Sequence, residues 1–376
     1  MRKLLQKRVL LKIAMGLASV GVALLLVVVI ALVTASGSLL HWAAREGHPY
    51  VVKFLFFYGV AANVKDHDGR TPLFSAAEGG RQDMAQLFLA NAADVNFLDD
   101  HGLSPLCSAI DHNQAEMVDF LLHNGALVDA SQPNTGETPL LHAVKLGETD
   151  IVKRLLANGA APDLADAHGR TPLMEAALND DLDTTAVLLK AGAQVNRRDY
   201  NGWTALYQAV FSLHTHTAEF LLDHHAAVDA RANDGTTPLH IIVRMRPTYP
   251  GEREQEIVYL LSRLIRHGAN PNTHAANGLT PLHEAICYDD HGLIYVLLDG
   301  GARPDIPNAS GQTPLDFVGG PRRMKLFKML WDHTTHHETT IPFIITPGRF
   351  PGNAPGNRHP DGAPRLRGMR RGEGVR

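Results

Sequence analysis

Apolar residues along this chain recur with the spacing of two short helices, and the helix pair recurs about every 33 residues. A Leu-x-x-Ala-Ala run, as in Leu73 to Ala77 and Leu173 to Ala177, predicts a first helix whose small residues let a neighbour approach closely. A second amphipathic run ends in Leu-Leu or Phe-Leu-Leu, and the glycine after it supplies a left-handed helix end. The polar residues keep the same beat. A threonine or serine opens each first helix at Ser38, Thr71, Ser104, Thr138, Thr171, Thr204, Thr237, Thr280 and Thr313, at intervals of 33, 33, 34, 33, 33, 33, 43 and 33. Gly59, Ala92, Gly125, Gly159, Gly192, His225 and Gly301 each follow 21 residues later, with Gly268 at 31. Four residues further on stands Asn63, Asn96, Asp129, Asp163, Asn196, Asp229, Asn272 or Asp305.

Each phrase has a local physical reading. Asp-x-x-Gly, from Asp66 to Gly69, Asp99 to Gly102, Asp166 to Gly169 and Asp199 to Gly202, is turn chemistry: the Asp bonds nearby backbone and the Gly takes positive φ. Thr-Pro then starts a helix, Thr as the N-cap and Pro preorganised for the first helical position. One such unit has no partner for its apolar face, whereas stacked units share a continuous core.

The fullest copies, Gly-Arg-Thr-Pro-Leu at 69–73 and 169–173 and Thr-Pro-Leu-His at 237–240 and 280–283, resemble the ankyrin repeat, whose signature joins a turn, Thr-Pro-Leu-His-x-Ala and two helices. The resemblance covers residues 36–333, with repeats starting near 36, 66, 99, 133, 166, 199, 232, 275 and 308. It implies an all-α solenoid of about nine helix-turn-helix units with short β-hairpin turns, binding a protein partner on its concave face. The implied contact positions are the turn tips, the residue after the turn glycine, and the seventh and eighth residues beyond the threonine. In the sixth repeat these are Tyr200, Asn201, Trp203, Phe211 and Ser212; the fifth adds His168, Arg170 and Leu178, and the seventh Asn233, Asp234, Arg244 and Met245. Exposed aromatics are scarce, and Trp and Tyr dominate interface hot spots, so the binding centre is expected across these three repeats. The competing reading has Trp203 and Phe211 stacking on adjacent repeats as ordinary packing. Tyr207 replaces the phrase's His and reads as structural. Toward the N-terminus the equivalent positions hold Asp68, Glu78, Asp100, His101, Asp111 and His112, a surface suited to a cationic partner.

Departures from the pattern carry information. The first copy lacks its Pro and shows extra apolarity in Phe54-Leu55-Phe56-Phe57-Tyr58, as suits a repeat beside a membrane or a terminal cap. The last stops at Phe317-Val318, meets Gly319-Gly320-Pro321 and resumes as Arg322 to Trp331. Ten extra residues, Arg244 to Arg253, fall between the two helices of the seventh repeat, as a partner-contacting loop or a tolerated insertion.

Charge and hydropathy add two terminal segments. Residues 1–12 carry five cations and no acid, and Ile13 to Val33 is uncharged for 21 residues, about 30 Å as a helix. This predicts one transmembrane signal anchor over 13–33, with a signal peptide cleaved after Ala35 as the alternative. Positive-inside bias then places the N-terminus in the cytoplasm and the repeats outside it, periplasmic in a bacterium. Residues 334–376 form a basic Pro/Gly/Arg-rich tail expected to be disordered. Without aromatic interleaving, its arginines give no expectation of nucleic-acid binding. Two cysteines in distant repeats, Cys107 and Cys287, exclude an intramolecular disulfide.

Of 21 histidines, His41, His240 and His283 belong to the repeat phrase and read as structural. His214, His216, His224, His225, His333, His336 and His337 lie outside it and leave a metal-binding function as one alternative. Asp66-His67-Asp68-Gly69 fails as a calcium loop because the later acidic positions are missing. No nucleophile elbow, phosphate loop or dinucleotide fingerprint is present, so neither an enzyme, a cofactor nor a small-molecule substrate is expected. The leading expectation is a membrane-anchored scaffold for an unidentified protein partner. A soluble periplasmic factor supporting a redox or stress enzyme is the second alternative.

Overall fold

The structure, a computed structural model, describes residues 36–245, 253–318, 328 and 330. Among the described residues, sixteen α-helices stand in eight antiparallel pairs. The pairs are α1 (Ser36–Glu46) with α2 (Pro49–Phe57), α3 (Pro72–Glu78) with α4 (Gln82–Leu89), α5 (Pro105–Asp111) with α6 (Ala115–His123), and α7 (Pro139–Leu146) with α8 (Thr149–Ala157). They continue as α9 (Pro172–Leu178) with α10 (Leu182–Lys190), α11 (Ala205–Phe211) with α12 (Thr215–Asp223), α13 (Pro238–Met245) with α14 (Glu254–Arg266), and α15 (Pro281–Cys287) with α16 (His291–Asp299). A ninth unit begins as a 3-10 turn over Pro314–Phe317, and residues 328 and 330 are again helical with Leu330 buried.

Local chemistry sets each helix start. Ser104, Thr138, Thr171 and Thr204 sit in extended backbone, and their hydroxyls accept from the amides of Cys107, Leu141, Met174 and Tyr207. The preceding turn is held by one carboxylate oxygen: Asp66 Oδ1 accepts from the amides of Asp68 and Arg70 at 3.0 and 2.9 Å. Asp99, Asp166 and Asp199 repeat that geometry.

Stacking uses three layers of contact. First helices pack on first helices through residues with no exposed surface, such as Ala76, Ala109, Ala143, Ala176 and Ala209, giving one core from Leu40 to Leu330. The Asn or Asp of the second phrase staples each repeat to the next: Asn96 donates to the Gly125 carbonyl at 3.0 Å and accepts from the Leu127 amide at 2.8 Å. Asn63, Asn196 and Asn272 do the same. At the tips a single backbone bond joins neighbours, as Tyr200 N–H to the His168 carbonyl at 3.1 Å.

Histidines of the phrase are structural, as expected. His240 Nδ1 accepts from Thr237 at 2.9 Å, while Nε2 donates to the Leu279 carbonyl at 3.2 Å; His283 does likewise toward Gln312. Burial holds the His240 imidazole down to about 4. His142 is the opposite case. Burial opposes its charging, but hydrogen bonds of 2.6 Å to Asp111 and Glu137 outweigh burial and push it up to about 9. Lys145 completes the group by pairing with Glu137.

Two expectations are corrected. The turns are not β-hairpins: among the described residues there is no strand, because each tip makes only one bond to the next, too few for a ladder. The membrane-spanning helix and the single-pass localisation built on it are also withdrawn. Among the described residues no helix is long and apolar enough to cross a membrane, and 13–33 lies outside those residues. The tail at 334–376 and His333, His336 and His337 lie outside them as well. Cys107 is buried and Cys287 exposed, and neither is in a disulfide, as their separation required.

Two measurements test this account. Ala92 and His225 occupy the helix-end position at φ 65° and 66°, where most repeats carry glycine. His225→Gly is expected to stabilise the fold by about 0.5–1 kcal/mol in urea unfolding. His142, whose folded pKa lies above its unfolded value of 6.5, contributes stability that is complete below about pH 6.5 and lost as pH rises through 9. Between about pH 7 and 10, His142→Gln should therefore remove on the order of 2 kcal/mol of the wild-type decline, allowing for solvent screening.

Candidate partner-binding surface

Three kinds of position share one face of the solenoid: the residue before each threonine and the fourth and seventh after it. The pairing of Glu137, His142 and Lys145 with Asp111 of the preceding repeat shows that they meet. In the N-terminal part this face is a charged lattice. Arg70 bonds Asp99 at 3.0 Å and Glu78 at 3.1 Å, and Arg45 reaches the same Glu78 at 3.4 Å. Glu78 and Asp111 are therefore committed to cations of their own chain, whereas Asp100, His101 and His112 are exposed polar groups of this part.

The centre of the face is different. Trp203 stacks on Tyr207 with centroids 5.0 Å apart at 24°, and tilts against Phe211 at 5.6 Å. Tyr207 is buried, its hydroxyl bonded to Thr236 at 2.8 Å, and its pKa is pushed up by burial. Trp203 and Phe211 are half-buried on that floor. The aromatics thus stack on one another within their own repeat, with Trp203 and Phe211 half-exposed.

Tyr200 is 72% exposed at the adjoining tip. Its ring lies over Gly169, where a β-carbon would come within 2.9 Å of Tyr200 Cδ1. Asn201 lends its backbone carbonyl to the Asn233 amide at 2.8 Å, and the Asn233 side chain donates to the Tyr200 carbonyl at 2.7 Å. Asn233 is therefore a tip staple as well as an exposed group. His168 is exposed beside them, and Arg170 is half-buried near Glu175.

Arg244 closes the patch on its far side. It grips Glu284 of the next repeat with Nη2 to Oε1 at 2.6 Å and Nε to Oε2 at 3.1 Å, and Asp234 stands 3.9 Å away. Glu284 is buried, which raises its carboxyl pKa against the pull of Arg244. Asp234 also holds its own turn through the Thr236 amide at 3.0 Å.

Sequence reasoning passed over the fourth position beyond the threonine, where Glu175, Gln208 and Glu284 lie buried in this face. The signal was present: polar residues interrupt helices that are otherwise apolar there. Glu175 Oε2 has no hydrogen-bond partner among the described residues, and burial raises its pKa.

Two of the other histidines hold backbone carbonyls. His214 Nδ1 donates to the Ala177 carbonyl at 3.2 Å and His224 Nδ1 to Phe220 at 2.8 Å. Among the described residues one group, Asp66, His67 and Asp68, brings potential ligand atoms within 4.8 Å, and Asp66 Oδ1 there is occupied by the turn amides.

Comparison with known proteins agrees with this architecture. The family model Ankyrin repeats (3 copies) matches residues 40–132, 127–199 and 196–261, and the Ankyrin repeat model matches 277–309. Similar curated proteins include protein phosphatase 1 regulatory subunit 12A of Mus musculus, 38% identical over 61 residues, covering 16% of this chain and 6% of that protein. BCL-6 corepressor-like protein 1 of Homo sapiens is 39% identical over 74 residues, covering 20% and 4%. Human mitochondrial disaggregase is 42% identical over 57 residues, covering 15% and 8%. The chain thus matches less than a tenth of the length of each of these relatives. Among solved structures, the ankyrin repeat domain of Bcl-3 superposes with a TM-score of 0.54 at 27% identity, covering 62% of this chain and 100% of that one. From phased phrases, stapled helix pairs and family match together, the chain belongs to the ankyrin-repeat family.

Proposed function

We propose that this chain is a non-enzymatic scaffold that docks a protein partner on the concave face of its fifth to seventh repeats. Ankyrin repeats generally mediate protein–protein interaction, and the family models that match this chain are those of the repeat itself. The observation that carries the placement is the Trp203–Tyr207–Phe211 stack, an aromatic floor left half open between two sets of charged side chains. Preorganised aromatics lose little entropy on binding and serve as anchors, while a polar rim excludes water around them. Here the rim is His168, Arg170, Tyr200, Asn201, Asn233, Asp234 and Arg244. Because Arg244 is neutralised by Glu284, its part is to shape the rim; Tyr200 and Arg170 are the groups free to reorient toward a partner.

A photo-crosslinking side chain at Phe211 in the native cell identifies the partner, and affinity is then measured with purified protein. Tyr200→Ala, which removes an exposed ring, and Trp203→Ala should each weaken binding by about tenfold or more. Tyr200→Ala is expected to leave the melting temperature nearly unchanged; Trp203→Ala, which uncovers Tyr207, lowers it by a few degrees. Tyr295→Ala on α16 serves as the distant control. Equal loss from Tyr295→Ala, or none from the first two, refutes the placement.

A further inference from the structure

The concave face buries one carboxylate oxygen, Glu175 Oε2, that finds no hydrogen-bond partner among the described residues. Its place in the repeat makes this unusual. In two other repeats the ionic side chain four residues after the threonine is met by the seventh-position residue of the repeat before it. His142 meets Asp111 at 2.6 Å, and Glu284 meets Arg244 at 2.6 Å. Glu175, on α9, is the fourth residue after Thr171, and the residue due to meet it is Lys145. Lys145 is instead paired with Glu137 of its own repeat. Burial raises the Glu175 carboxyl pKa, and Lys145 and Arg170 pull against that, but neither of them bonds Oε2. The side chain is only 9% exposed, so water has little room to replace the missing donor. An acceptor buried in this way forfeits a charge-assisted hydrogen bond.

Charge gives the sign of what is missing. Asp111, Glu137, Asp166 and Glu175 stand in this group with His142, Lys145 and Arg170, four carboxylates against three cations. One negative charge is left over. The group also adjoins the aromatic floor, because α9 packs directly on α11, the helix that carries Tyr207 and Phe211.

We propose that Glu175 receives a basic side chain, a lysine or an arginine, that the protein partner inserts beside the aromatic floor, an inference that rests on the docking face proposed above. An ammonium or guanidinium supplies both the donor that Oε2 lacks and the charge that the group is short of. The long methylene stem of either residue reaches a carboxylate sunk in an otherwise packed face. A neutral donor would satisfy the hydrogen bond and leave the excess charge in place.

Two measurements on the full chain test this. Glu175→Gln removes an unmatched buried charge, so the melting temperature should hold or rise. A fall of several degrees would show that Arg170 or Lys145 already neutralises Glu175, and would overturn the proposal. In the second, a phage-displayed library of random peptides is selected on the immobilised chain, and clones that lose binding to Trp203→Ala are kept as ligands of this face. These are expected to share a Lys or Arg and to bind Glu175→Gln about tenfold or more weakly. Norleucine in place of that Lys or Arg should cost wild-type binding as much, and cost Glu175→Gln nothing further. Trp203-dependent peptides that ignore Glu175, or that need it through a neutral donor such as Ser or Asn, overturn the inference and leave the scaffold reading standing. A library without Trp203-dependent clones counts against both.

Discussion

No repeat in this molecule completes its own interior. A pair of helices seven to thirteen residues long buries one face against its partner and leaves the other for the next pair, so every structural feature follows from how neighbours meet. Alanines without exposed surface bring successive first helices together, and the second-phrase Asn or Asp then satisfies backbone groups that the helix ends leave over. That polar staple crosses the boundary between units, and it explains why two sequence phrases stay in phase: each is half of a contact whose other half lies about 30 residues away.

The same boundary divides the concave face. Where adjacent repeats supply opposite charges, as at Arg70 with Asp99 or Arg244 with Glu284, the surface is paid up within the chain and offers mainly shape. Where the sixth repeat supplies rings, they stack on one another inside the repeat and keep an open side. His142 and His240 show how sharply position decides chemistry: one sits between two carboxylates and is held charged, the other between a threonine and a carbonyl and is held neutral.

Much of this was legible in the sequence because it is local. Turn aspartates, N-cap threonines, left-handed glycines and the phrase histidines each act within a few residues, or at the constant offset of a neighbour. Trp203, Phe211 and Tyr200 stood out for the same reason, as aromatics at positions the period marks as exposed. What escaped depends on residues that the period does not name. Arg244 meets Glu284 across the inserted stretch, 40 residues away, and Asn233 serves the tip before it serves any partner. The hairpin expectation failed because turn residues specify a reversal of the chain but not enough bonds to make a ladder. Segment 13–33 was read from hydropathy alone, a property that says a surface must be covered without saying by what.

The seventh repeat shows what kind of order this is. Its second helix starts a turn early, at Glu254, and ends at Arg266, after which the chain regains its 33-residue stride from Thr280 to Thr313. Extra length between two helices of one unit is therefore forgotten by the next. Register here is reset at every interface instead of being carried along the chain, so the molecule corrects its own miscounts. Such an object grows or shrinks by whole units, and varies in length within a unit between its two helices.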